Sequence, residues 1–330
     1  MMRGPQRGQA PPVPVDVTVT RPDALCAAGS RGQCHQAISG GLFRMKNIVA
    51  SVLARLKNLT REKGLIYNEV LVRYAIERVL KRLELSSCAS KCVLKGGSMF
   101  IVWNGGFSFR PTMDADIEFR GDGSPSNLER VFREVCSMPG CEEDGVAIDA
   151  GTVSAVPIRE DDQYGGVRVT MTAKIGSVCV PVQFDVGIGD AITPRAKFCD
   201  FPVMLDNSVP RLKVYPRETV IAEKFQTIVQ RGFANSRMKD YYDLWRLSSD
   251  SQVDRAVAKL AVERTFARRK TELPAALPEG LSDGFARDAA KVAQWRSFVR
   301  KNRLDVGSMS LEDVVSAIRP FLMGLLPNNN

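Results

Sequence analysis

The stretch Arg110-Pro111-Thr112-Met113-Asp114-Ala115-Asp116-Ile117-Glu118-Phe119 combines two aspartates one residue apart with an alternating apolar pattern. Residues two apart in a β-strand point to the same side, so Asp114 and Asp116 share one face and the intervening apolar residues share the other. Adjacent carboxylates repel each other, and a hard divalent cation such as Mg2+ is the usual compensation. The pattern therefore predicts a strand that carries a metal site, and the alternative is a half-exposed strand whose acidic residues face water.

A glycine-rich turn precedes this strand by about the length of a helix. Cys92-Val93-Leu94 fits a short strand, Lys95-Gly96-Gly97-Ser98 follows it, and an apolar helix is expected from Met99. Backbone N–H groups at such a turn favour phosphate, and glycine lets a ligand approach closely. Gly96, Gly97 and Ser98 are therefore candidate phosphate-binding residues, and an ordinary turn is the alternative.

A third acidic residue lies on a later strand. Residues 178–186 alternate apolar and polar positions, which puts Gln183 and Asp185 on one face, and Pro181 predicts an edge or irregular position. If this strand lies beside the strand of Asp114 and Asp116, Asp185 adds a third carboxylate to the same site. The alternative is a strand-end aspartate before a glycine turn.

A lysine interrupts the apolar stripe of a helix predicted over Arg217–Arg231, which Pro216 opens and Gly232 closes. Lys224 lies on or beside the stripe formed by Ile221, Phe225 and Ile228. Either its stem runs to water, or its charge reaches into a cleft to hold a nucleotide phosphate.

Two further aspartates, Asp240 and Asp243, are three residues apart on the next predicted helix and share one of its faces. They are candidate site residues. The alternative is an ordinary surface pair between Lys239 and Asp243.

The composition is that of a globular protein. The 330 residues are 44% hydrophobic, enough for one large domain or two modest ones, and 46 Lys and Arg against 37 Asp and Glu give a net charge of +9. A basic surface is compatible with a polyanion such as RNA. The absence of a long apolar run or a secretory signal predicts a cytoplasmic protein without a membrane partner. Eight dispersed cysteines and a single histidine fit reduced, mostly buried thiols better than structural zinc.

Three regions are expected along the chain. Residues 1–44 are rich in Pro, Gly, Arg and Ala and are predicted to be a disordered tail or an over-extended start. Residues 45–210 are predicted to form a core that begins with two helices broken near Gly64, and residues 211–330 a helical C-terminal lobe.

Four ordered blocks between about Met45 and Leu247 resemble the AbiEii/AbiGii nucleotidyltransferase toxins, which include the MenT-like toxins of type IV-like toxin–antitoxin pairs. The blocks are Val93-Leu94-Lys95-Gly96-Gly97-Ser98, Arg110-Pro111-Thr112-Met113-Asp114-Ala115-Asp116, Glu218-Thr219-Val220-Ile221-Ala222-Glu223-Lys224 and Ser236-Arg237-Met238-Lys239-Asp240-Tyr241-Tyr242-Asp243-Leu244.

The resemblance implies an α+β protein with a DNA-polymerase-β-like nucleotidyltransferase fold, in which a mixed sheet carries the carboxylates and a helical C-terminal lobe closes over the nucleotide. It implies a toxin that uses an NTP as substrate and Mg2+ (or Mn2+) as cofactor and has a cognate antitoxin. The resemblance implies RNA as the acceptor, above all the 3′ end of tRNA, and a block of translation as the result. The alternatives are the same fold acting on a protein or a small molecule, and a non-catalytic module that binds RNA or protein.

The resemblance also assigns residues. Asp114 and Asp116 would bind the metal and be catalytic together with Lys224 and Asp240, while the strand-face argument adds Asp185 to the metal ligands. The role of Asp243 is left open. The expected nucleotide-binding residues are Gly96, Gly97, Ser98, Arg110 and Lys224.

Overall fold

The computed structural model describes residues 31–106, 110–139, 141–158 and 165–327. Contacts divide the chain into residues 1–43 and a compact unit of residues 44–330. The described part of the first unit is the start of a helix. The prediction of a disordered tail over residues 1–44 thus falls mainly outside the described residues.

The described residues form helices and one seven-stranded sheet. The helices are α1 (Arg31–Lys63), α2 (Tyr67–Leu85), α3 (Ser98–Trp103), α4 (Pro125–Cys136), α5 (Arg217–Arg231), α6 (Met238–Ser248), α7 (Arg255–Arg268), α8 (Asp283–Arg287), α9 (Ala289–Asn302) and α10 (Leu311–Met323). The strands are β1 (Cys92–Lys95), β2 (Ala115–Phe119), β3 (Ala147–Ile158), β4 (Gly166–Ile175), β5 (Val178–Ile188), β6 (Lys197–Asp200) and β7 (Arg211–Val214).

The break between the first two helices is confirmed at Gly64, whose φ of +62° is a left-handed conformation that favours glycine. The helix predicted over Arg217–Arg231 is confirmed as α5. Its apolar stripe is completely buried at Ile221, Phe225 and Ile228. Burial of this one face accounts for the position of α5 against its neighbours α6 and α7.

The sheet is mixed, with the order β3-β4-β5-β2-β1-β7-β6. Strand β2 runs antiparallel to β1 and parallel to β5, and β1 runs parallel to β7. The mixed sheet and the helical C-terminal lobe confirm the predicted fold class. β5 is an inner strand, but only its residues 184–188 pair with β2. Pro181 lies before this segment, where β5 pairs with β4 alone. The position of Pro181 is therefore locally an edge, where a residue without an N–H is tolerated.

The two faces of the sheet have different chemistry. Helices α2 and α4 cover one face, where the ring of Phe132 lies 5.3 Å from that of Phe184, centroid to centroid. Apolar residues of β4 and β5 alternate onto this covered face and form the core. The polar positions between them, such as Arg168 and Asp185, point to the opposite face. That alternation leaves one face of the sheet available for a charged cleft.

The C-terminal lobe begins directly after the sheet. Strand β7 lies beyond the predicted boundary at residue 210 and pairs with β1 and β6, so the helical part starts with α5. In the part of the chain that the structure describes, no helix combines the length and apolarity that a membrane span requires. The thiols of Cys88, Cys92, Cys136 and Cys141 are buried.

Candidate active site

The glycine turn after β1 is tightly constrained by its surroundings. Gly96 has a φ of +68°, and a Cβ atom at this position would overlap the carboxylate of Asp116. A Cβ atom at Gly97 would lie 2.9 Å from Nη2 of Arg110 and 2.9 Å from Oγ1 of Thr112. Only glycine lets the turn approach these polar groups so closely. The following residue, Ser98, is buried with 2% exposure at the start of α3.

Strand pairing brings the acidic residues together as predicted. In the register of β2 with β5, Asp116 is the direct partner of Asp185, and in the register of β2 with β1 it is the partner of Lys95. The condition set by the sequence for Asp185, that its strand lies beside the strand of the two aspartates, is therefore met. Asp114 precedes the first residue of β2.

Like charges and burial act on the same carboxyl group. Burial raises the pKa of Asp116, and the charges of Asp114 and Asp185 raise it further, against the opposing effects of Lys239 and Lys95. Such a group gains from a bound cation, because a cation removes the repulsion that disfavours its charged form.

The carboxylate of Asp185 already has strong partners. Arg168 donates to it from Nε and Nη2, each at 2.9 Å, and Nε2 of Gln183 donates at 3.1 Å. This fork of two parallel bonds fixes the carboxylate on the cleft face of β5. No group of three potential metal ligands occurs within residues 31–106, 110–139, 141–158 and 165–327.

Lys224 is the centre of a buried charge cluster that joins α5 to α6. Its Nζ lies 2.7 Å from Oδ1 of Asp240 and 2.8 Å from Oδ2 of Asp243, and both carboxylates are 1% exposed. Arg110 donates to both oxygens of Asp243, at 2.9 and 3.0 Å, and Arg237 donates to Asp240 at 2.7 Å. The cluster ties the helical lobe to the segment that leads into β2.

This cluster decides two questions that the sequence left open: where the Lys224 side chain ends, and which cation pairs with Asp243. The Lys224 side chain is only 11% exposed and ends on two carboxylates, so its stem does not run to water. The carboxylate of Asp243 pairs with Arg110 and Lys224, where a surface pair with Lys239 was the alternative. Although burial alone would raise the pKa of Asp240, Lys224 and Arg237 hold it well below its usual range.

A second charged cluster lies along the same cleft. Nζ of Lys95 lies 3.0 Å from Glu118 and 2.9 Å from Asp190, and Arg269 reaches Asp190 at 3.1 Å and Glu223 at 3.5 Å. Burial raises the pKa of Glu223 to about 7, with Lys95 acting in the opposite direction. The cluster connects the ends of β1, β2 and β5 to α5 and to the residue that follows α7.

The two clusters and the glycine turn line one cleft of about 210 Å3. Of the residues expected from the sequence, the cleft brings together Gly96, Gly97, Arg110, Asp116, Asp185, Lys224 and Asp240. Asp114 and Ser98 do not belong to its lining among the described residues. The lining of the cleft therefore includes most of the site residues that the sequence predicted.

Several residues of the second charged cluster were not predicted. Glu118 follows Asp116 by two residues, so the strand pattern that placed the two aspartates on one face could have found it. Glu223 and Asp190 lie within or beside sequence blocks already recognised, but nothing in their spacing marks them as paired. Arg269 lies 45 residues beyond Lys224 in sequence and has no local signal; only the packing of α7 against α5 brings it to the cleft.

Comparison with known proteins identifies a sequence family and similar solved structures. The sequence model of the family described as "Nucleotidyl transferase AbiEii toxin, Type IV TA system" matches residues 78–317. A candidate nucleotidyltransferase from H. pylori is similar in structure, with 13% identity, 79% of this chain and 96% of that chain covered, and a TM-score of 0.45. JHP933 from Helicobacter pylori is similar with 13% identity, 78% and 91% coverage, and a TM-score of 0.44. No curated protein matches the chain.

Proposed function

The chain belongs to the AbiEii family of nucleotidyl transferase toxins of type IV toxin–antitoxin systems, and from this premise we propose that it transfers nucleotides from an NTP to the 3′ end of an RNA, with tRNA as the acceptor. Modification of the 3′ end of tRNA would block aminoacylation and hence translation. The observation that carries the proposal is the single cleft that unites the Gly96-Gly97 turn, the Asp116 and Asp185 carboxylates and the Lys224–Asp240 pair.

The proposed reaction is an in-line substitution at the α-phosphate. The 3′ hydroxyl oxygen of the RNA gives up its proton to water and forms a bond to the α-phosphorus, the bond from that phosphorus to the bridging oxygen breaks, and pyrophosphate leaves. Most of the catalysis of such a step comes from positioning and from charge stabilisation. Gly96 and Gly97 are proposed to hold the triphosphate through their backbone groups, because the turn lines the cleft and, without side chains, lies close to Asp116 and Arg110.

Asp114 and Asp116 are the residues proposed to hold Mg2+ or Mn2+, with Asp185 as a third carboxylate. The residues fit such an ion: the half-buried carboxylate of Asp116 is repelled by Asp114 and Asp185, and only glycine at position 96 leaves room for that carboxylate beside the turn. Mg2+ commonly takes only one or two carboxylates and completes its shell with water and phosphate oxygens. When bound, the ion would lower the pKa of the attacking hydroxyl and neutralise charge on the phosphates.

Lys224, Asp240 and Arg110 have proposed roles in the same reaction. Lys224 is proposed to contact phosphate, and its ion pairs with Asp240 and Asp243 hold its ammonium group at the cleft. Asp240 thereby completes the catalytic set by orienting Lys224. Arg110, held by both oxygens of Asp243, lies against Gly97 and is proposed to fix the nucleotide-binding turn.

Two partners follow from the proposal. The net charge of +9 would attract RNA through its phosphates. The family suggests a cognate antitoxin as the protein partner. An acceptor of this kind implies action in the cytoplasm, in agreement with the expectation from the sequence.

The test is a transfer assay with purified protein, total bacterial tRNA, Mg2+ and each radiolabelled NTP in turn, read on a denaturing gel. We expect label on tRNA from one or two nucleotides, and a loss of at least about 100-fold with Asp116→Asn. Asp200→Asn is the matched control, since this carboxylate is 64% exposed on the outermost strand β6. Label that survives RNase but not protease would overturn the RNA acceptor in favour of a protein.

A further inference from the structure

Six cations line the cleft, and in the part of the chain that the structure describes five of them are paired with acids. Lys95 pairs with Glu118 and Asp190, and Lys224 with Asp240 and Asp243. The other paired cations are Arg110, Arg237 and Arg269. Each of these charges is already balanced inside the protein.

Lys239 is the sixth cation. It lies in the first turn of α6, it is exposed, and among the described residues it makes neither an ion pair nor a hydrogen bond. Its charge nonetheless acts on the carboxylates of the site, because it lowers the pKa of both Asp116 and Asp240. An uncompensated ammonium group thus stands in the cleft within electrostatic range of Asp116.

We propose that Lys239 binds the triphosphate of the incoming NTP and is the cation that supplies net positive charge to the leaving pyrophosphate. The inference rests on the proposed function, which it extends by one residue and one part of the substrate. A paired lysine such as Lys224 can contact a phosphate only in competition with two carboxylates, whereas Lys239 has all three of its N–H donors available.

The position of Lys239 favours the triphosphate over the phosphates of an RNA acceptor. It lies on the same cleft as the Gly96-Gly97 turn and acts on Asp116, the carboxylate that borders Gly96. A phosphate held by the turn would therefore meet the ammonium group at the reacting centre. RNA phosphates remote from the reacting end would lie outside so small a cleft.

Binding of inorganic triphosphate in the presence of Mg2+, measured by isothermal titration calorimetry, tests the proposal without turnover and without knowledge of the preferred base. We expect Lys239→Met to weaken binding about tenfold or more, since a hydrogen bond to a charged group is worth at least that factor. Lys239→Arg should restore most of the affinity. Lys301→Met on α9 is the matched control, because it removes an equally exposed lysine from a helix outside the cleft.

The outcomes separate this inference from the function on which it rests. Equal triphosphate affinity of the wild type and Lys239→Met would overturn the role of Lys239 and leave the proposed function standing. A wild type that binds no triphosphate would overturn both. A gel-shift assay with tRNA separates triphosphate binding from RNA binding. Unchanged RNA binding by Lys239→Met supports the proposal. If Lys239→Met loses affinity for RNA but keeps its affinity for triphosphate, the proposal is refuted.

Discussion

Replacing Lys224 by methionine should lower the free energy of unfolding by about 3 kcal/mol. The substitution keeps the length of the side chain but removes the ammonium group that lies 2.7 Å from Asp240 and 2.8 Å from Asp243. Both carboxylates are 1% exposed, so neither can recover water in place of the lost charge. Removal of one partner from a buried ion pair typically costs about 3–5 kcal/mol.

The lower end of that range applies because each carboxylate retains a second cation. Arg110 still donates to Asp243, and Arg237 to Asp240. The compact unit spans residues 44–330, for which the entropy of unfolding is about 0.6 kcal/mol/K. A loss of about 3 kcal/mol then corresponds to a fall in Tm of about 5 °C.

Thermal unfolding followed by circular dichroism measures this change, with urea unfolding as the independent estimate of the free energy. Lys239→Met is the matched control, because it removes an exposed lysine without an acid partner from the same cleft and should change stability by no more than about 0.5 kcal/mol. If Lys224→Met unfolds at the wild-type temperature, the buried pairs do not stabilise the fold and the reasoning fails.

Three further expectations concern single residues. Asp114→Asn should remove most transfer activity in the tRNA labelling assay while circular dichroism remains that of the wild type; full turnover would refute a role for Asp114 at the metal. Gly96→Ala should abolish activity because the new Cβ meets the Asp116 carboxylate, whereas Gly64→Ala, at a similar positive φ in open space, should cost only about 1 kcal/mol of stability and spare turnover. Burial raises the pKa of Glu77 to about 7, so the folded state keeps a proton that the unfolded state has lost, and stability should fall by about 1–3 kcal/mol as pH rises from about 4.5 to 7. Glu77→Gln should flatten that part of the pH profile of Tm, and an unchanged profile would exclude Glu77 as its origin.

Local patterns in the sequence were sufficient for much of the fold. The turn at Gly64, the extent of α5 and the alternation along β5 follow from capping, periodicity and side-chain direction, which act over a few residues. The pairing of Asp116 with Asp185 was a conditional prediction: the strand face was readable, but the neighbour of β2 was not. Strand order depends on which apolar faces pack together across the whole domain, and no local pattern encodes it.

The charge pairings were less accessible than the fold. Its place on an apolar stripe marked Lys224 as unusual, but that pattern left open whether the side chain runs to water or reaches into a cleft. Its partners, Asp240 and Asp243, lie on another helix, and the fork from Arg110 comes from a segment more than a hundred residues away. Arg269 had no signal because its role depends on the packing of α7 against α5.

By itself, the sequence determined several of the elements, the class of fold, the family resemblance and seven of the residues that line the cleft, because side-chain chemistry and short-range spacing carry that information. Only the tertiary structure decided which of those charges are neutralised. Whether a lysine is free or paired depends on the distances between its ammonium group and carboxylates from other elements, and this is what distinguishes the paired Lys224 from the exposed Lys239.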